Sequence, residues 1–180
     1  MDTSFFNHTS ETVPQQFTVT VFSGDQVVFT IDEEGVNTIE VRPRHREGSK
    51  QVRFIRVVIN DNVYIYPTDF LTYVSKIIDK QLFNITRLNS YGYDDEKTSY
   101  IPLIIRLRAQ ISEADKVFFT DTLSDVLTVN HFLKSINAVA AYVSKDQVQL
   151  FHQLFVLNNN LQFPNTIKFI HLDKKMYMSI

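Results

Sequence analysis

The chain has no cysteine and no tryptophan. Without cysteine there can be no disulfide, no thiolate metal centre and no cysteine nucleophile. Glycine is scarce too: Gly24, Gly35, Gly48 and Gly92 are the only four, and no two lie within ten residues of each other. Phosphate-cradling loops need clustered glycines so that backbone N–H groups can reach the phosphate, and a nucleophile elbow needs Gly-x-Ser-x-Gly; neither pattern occurs. Each glycine instead sits in a short polar stretch, the punctuation of hairpins, where positive φ is needed. The N-terminus lacks the basic region and apolar run of a secretory leader. No apolar stretch approaches the roughly 18–20 residues that span a bilayer. The expectation is an intracellular chain that is neither secreted nor membrane-bound. A formal net charge of −2 supplies no global attraction to nucleic acid or membrane.

Apolar bulk is what the chain does have. Hydrophobic residues make up 44% of it, and fifteen Phe and eight Tyr supply much of the core volume. Residues 1–14 are polar and mixed and read as a loose tail, with Phe5 and Phe6 its only aromatics. Residues 15–180 read as one β-rich domain. A period-2 pattern opens that domain: Phe17, Val19 and Val21 alternate with threonines, then Val27, Phe29 and Ile31, then Ile39 and Val41, with turn residues between the runs. Gln51 to Asn60 is a further strand whose apolar phase slips between Phe54 and Ile55, as a β-bulge or a strand buried on both faces would give. Asn60-Asp61-Asn62 turns the chain into Val63 to Tyr66.

After Pro67 the period changes. Phe70, Val74, Ile77, Ile78 and Leu82 recur at helical spacing behind Thr68 or Asp69, which predicts a helix reaching about Phe83, its apolar face packed on the core. Residues 89–99 read as a loop. Strands are expected from Tyr100 and over residues 117–120. Residues 124–157 suit either helix or strand, and Asn130 is placed to cap a helix over Phe132, Leu133, Ile136 and Val139 if the first holds. Residues 147–157 suit either helix or strand, Asn158 to Asn160 a turn, and 166–172 a closing strand able to pair with an early one. The sum is a mainly β chain: an antiparallel β-barrel or sandwich with one or two α-helices.

The densest local chemistry runs from Arg42 to Arg56. Arg42, Arg44, Arg46, Lys50, Arg53 and Arg56 carry six positive charges against Glu47 alone. Read as a hairpin with a basic tip, they form a patch suited to phosphates, an acidic partner or another anionic surface. Read structurally, they are charges that keep a sheet from pairing edge to edge. The five histidines, His8, His45, His131, His152 and His171, show no i, i+2 or i, i+4 spacing, so no local metal motif exists and no metal or cofactor is expected. Asp121 with Asp125, and Asp94-Asp95-Glu96, read as capping and turn residues rather than an acid–base pair. Asn7 and Asn84 fall in glycosylation sequons that read as chance occurrences.

Length, element order and the style of Asn158-Asn159-Asn160-Leu161-Gln162-Phe163-Pro164-Asn165 give a chain that resembles the baculovirus telokin-like proteins of about twenty kilodaltons. That resemblance implies a viral protein of an infected insect cell with an antiparallel barrel similar in topology to the dUTPase barrel. Gly92-Tyr93-Asp94 echoes a stretch of the dUTPase enzymes, but the phosphate motif and the glycine-rich tail of those enzymes are missing here. The expected function is therefore non-enzymatic: a viral accessory or structural protein that binds an unidentified protein partner. The alternatives are nucleic-acid or polyanion binding through residues 42–56 and, more distantly, a degenerate nucleotide-binding barrel.

Overall fold

The structure, a computed structural model, describes residues 13–48, 51–155 and 167–174. The first twelve residues with Phe5, Phe6, Asn7 and His8, the cation Lys50, and the turn at Asn158 to Asn160 all lie outside the described residues.

Among the described residues nine strands form three antiparallel sheets. Strands β1 (Gln15–Thr20), β2 (Gln26–Ile31) and β3 (Asn37–Arg42) make a meander; β4 (Phe54–Ile59) and β5 (Asn62–Pro67) make a hairpin; β6 (Tyr100–Leu107), β7 (Leu127–Leu133), β8 (Ala138–Ser144) and β9 (Ile167–Leu172) form a sheet in the order β7-β8-β6-β9. The helices α1 (Ile85–Ser90), α2 (Glu113–Val117) and α3 (Val148–Phe155) lie between strands. The fold is mainly β, as the alternation predicts. Among the described residues no sheet closes on itself, so the open, sandwich-like arrangement holds and the barrel, including the dUTPase-like one, does not. One apolar cluster draws on all three sheets, with Val19 and Phe29, Ile65, and Leu103, Ile105 and Val139 among its buried members.

Turn chemistry sets the meander. Gly24 turns the chain at φ +87°, and a Cβ there would lie 2.9 Å from the Arg44 Cδ, so that arginine can cross only over a glycine. Asn60 and Asp61, at φ 48° and 63°, make the two-residue turn that joins β4 to β5.

The predicted helix over 68–83 is a correction. Its apolar positions do reach the core, since Phe70, Ile78 and Leu82 are buried, but the backbone turns out of the helix at Ser75, φ 66°. The Ser75 N–H donates to the Ile78 carbonyl at 2.8 Å, and Ile77 to Asp79 then pairs with β9: Ile170 N–H donates to Ile77 O at 2.8 Å and Asp79 N–H to Ile170 O at 2.9 Å. A tertiary strand partner has overridden local periodicity. Only a 3₁₀ turn, Lys80–Phe83, remains of the helix.

Three other expectations change. Residues 117–120 are not a strand: Ser112 and Asp115 form a reciprocal capping box that starts α2, which runs on into a π turn at Phe118–Thr122. Asn130 caps no helix; it lies in β7, its amide donating to the Tyr142 hydroxyl at 3.1 Å. Finally, β9 pairs with β6 rather than with an early strand, and Val148–Phe155 forms α3.

Candidate functional site

The Arg42–Arg56 segment is not a hairpin. β3 pairs with β2 and β4 with β5, so the segment connects two sheets and its described cations do not share a tip. Two of them turn inward. Asp25 has no exposed surface, and its carboxylate accepts from Ser23 Oγ at 2.6 Å, the Arg44 N–H at 2.9 Å, and Arg46 Nη1 and Nη2 at 2.7 and 2.8 Å. Arg46 Nε also donates to Asp69 at 2.8 Å, and its guanidinium lies 5.9 Å from the centre of the Phe54 ring. Burial by itself would favour loss of the Arg46 proton, but the two carboxylates outweigh it and raise the pKa further. Arg44 donates from Nε to the Ser23 carbonyl; burial, then the neighbouring Arg46, lowers its pKa. These two residues hold the connection to the β1–β2 turn.

The remaining cations are separated. Arg42 pairs with Glu40 at 2.9 Å, Arg56 donates to the Asn37 amide oxygen at 2.9 Å, and Arg53 is solvent-facing. The structure therefore brings Arg44 and Arg46 together around an internal carboxylate and leaves Arg42, Arg53 and Arg56 apart at the surface.

The other candidates are structural. Asp95 accepts from the Thr20 N–H and hydroxyl, both at 2.8 Å, and from Lys145 Nζ at 2.7 Å. Asp94 is bound to Lys97 at 2.7 Å. Asp121 and Asp125 are exposed. Asn84 is fully buried, its side-chain oxygen accepting from the Arg87 N–H to cap α1, which leaves no room for a glycan. Among the described residues no three metal-binding side chains cluster, and no helix is long and apolar enough to cross a membrane. His152 is buried between Phe22 and Phe70, with ring centres 4.5 and 4.7 Å away; its Nε2 faces the Phe22 carbonyl and its Nδ1 has no partner. Ser23 and Asp25 are hydrogen-bonded but sealed from solvent, so no substrate can reach them.

The feature that sequence reasoning missed is the open edge of β4. Its pairing with β5 runs unbroken from Phe54↔Pro67 to Ile59↔Asn62, so neither a bulge nor double burial explains the phase slip. The strand is apolar on both faces and lies at an edge, with Ile55 40%, Val58 55% and Ile59 49% exposed. The run Phe-Ile-Arg-Val-Val-Ile is visible in the sequence, but its missing second neighbour is not.

No family model matches the chain, and no match to it is found among curated proteins or solved structures.

Proposed function

We propose that the chain is a non-enzymatic viral accessory or structural protein that works by binding other proteins through its sheet surface. The viral attribution follows the telokin-like resemblance. The binding role is supported by one observation above all: the outer edge of β4 is regular, aliphatic and unpaired among the described residues. Such an edge offers main-chain hydrogen bonds and apolar contact to a partner strand. The polyanion-binding reading, by contrast, has the Arg46 guanidinium committed to Asp25 and the Arg44 guanidinium to the Ser23 and His45 carbonyls.

A photocrosslinking amino acid at Val58 tests this in infected insect cells, with the exposed Glu34 as the control position. Covalent protein adducts are expected at Val58 and not at Glu34. Equal behaviour at the two positions, or no protein adduct at Val58, removes the reading.

A further inference from the structure

The outer edges of the other strands are treated differently. β1 is closed by the 94–97 loop, whose Asp95 N–H donates to Thr18 O at 2.8 Å while its carboxylate accepts from the Thr20 N–H. β5 is closed by Asn84 and Thr86, and β9 by Ile77 to Asp79. β7 is bulged between Val129 and His131, and β3 carries the Glu40–Arg42 ion pair on its edge. Bulges and charges are the usual protections of an open edge. β4 has neither a bulge nor an ion pair, and Arg56 is its one charge.

We infer that β4 pairs with β4 of a second copy of this chain, antiparallel and two-fold symmetric about Val57. This rests on the protein-binding reading above and names the partner.

The hydrogen-bonding geometry supports that register. A two-residue turn makes Ile59↔Asn62 a mutually hydrogen-bonded pair, so Ile55, Val57 and Ile59 bond inward to β5. The same parity continues at Arg53, whose carbonyl accepts from the Thr68 N–H at 2.9 Å. The N–H and C=O groups of Phe54, Arg56 and Val58 therefore point out of the sheet. A symmetric pair must set these even-numbered residues against each other, which centres it within the strand on Ile55, Arg56, Val57 or Val58. Centring on Arg56 opposes two guanidinium groups, and centring on Ile55 or Val58 leaves much of the strand unpaired. Centring on Val57 avoids that clash and pairs Ile55 to Ile59: Ile55 meets the partner's Ile59, Val57 meets the partner's Val57, and Arg56 exchanges hydrogen bonds with the partner's Val58. It also brings Arg53 to the partner's Asp61 at both ends of the paired strands. Both residues are exposed, and neither has an ion-pair partner among the described residues. This charge complementarity, repeated by the two-fold axis, singles out a second copy as the occupant.

Sedimentation equilibrium of the purified chain over a concentration series is the test. The wild type is expected to approach twice the chain mass. Val58→Pro removes an outward N–H, a change that edge strands tolerate, and is expected to be a monomer. Arg53→Glu and Asp61→Lys, each alone, set like charges at both ends and weaken pairing by roughly tenfold. An equimolar mixture of those two variants restores opposite charges at both ends and is expected to recover the wild-type mass. A monomeric wild type overturns the inference, as does a dimer indifferent to all three variants or a mixture that fails to recover. If the wild type is monomeric while Val58 still crosslinks to a different protein, the self-pairing is wrong and the protein-binding reading stands. If Val58 crosslinks to nothing, both fall.

Discussion

Asp25 is a carboxylate with no exposed surface, held by four donors, one from Ser23, one from the Arg44 backbone and two from Arg46. Removing one partner of a buried ion pair costs far more than the pair contributes, because the other charge is left uncompensated. Arg46→Met is therefore expected to lower the unfolding free energy by about 3–5 kcal/mol in urea titrations. Truncating Arg46 as a test of ligand binding would mistake unfolding for lost affinity; Arg53 and Arg56 are the informative cations. His152 makes the protein acid-sensitive for a related reason. Burial pushes its pKa down to about 3, while in the unfolded chain it takes a proton near pH 6.5. Between those values the unfolded chain binds more protons than the native one. The stability associated with neutral His152 is thus complete above about pH 6.5 and falls as pH drops towards about 3, by up to about 1.4 kcal/mol per unit. The His152→Gln variant is expected to lose stability less steeply than the wild type over that window, measured by chemical denaturation at stepped pH.

Among the elements, the strands of the meander, β6 and the β4–β5 turn were legible in the sequence, because alternation and turn residues are local signals. The segment 68–83 was legible only in part. Phe70, Ile78 and Leu82 mark the buried side, but helix or turn was decided by Ile170, some ninety residues further along the chain. β7 likewise exists because β8 lies beside it. Asp25, flanked by Gly24 and Gln26, reads as an ordinary turn residue, and nothing local announces that Arg46 will cross to it. The left-handed Ser75 gives this reasoning a test. A β-branched residue is costly at positive φ, so Ser75→Val is expected to destabilise the fold by about 1–2 kcal/mol, whereas Ser75→Gly is expected to be neutral or slightly stabilising. Thermal or urea melts of the pair distinguish the two signs; a stabilising Ser75→Val would mean that the helical register is accessible after all.

At the scale of the whole molecule, the β1–β2–β3 sheet is tied to the β6–β9 sheet through Asp95. It receives Thr20 from β1 and Lys145 from the end of β8, and the Lys145 ammonium also donates to the Tyr93 carbonyl at 2.8 Å. The lysine side chain is 8% exposed and the aspartate 20%. Asp95→Ala strands the ammonium in a nearly dry site and is expected to cost about 2–4 kcal/mol, reduced from the fully buried case by the partial exposure of Asp95. Hydrogen exchange checks the tie: protection at Thr20 and Lys145 should fall together, and loss at one alone would show that the sheets are held independently.

The place of β9 has a bearing on synthesis. β6 is flanked by β8 and β9, and Ile77 to Asp79 also bond to β9. As the chain leaves the ribosome, the apolar flank of β6 and the strand-like turn at Ile78 must wait until residue 172 has been made. Chain growth at about 5–20 residues per second turns that wait into seconds of exposed aliphatic surface. A nascent chain halted before β9 is thus a natural client for chaperones, and its release marks the moment at which the sheet can close.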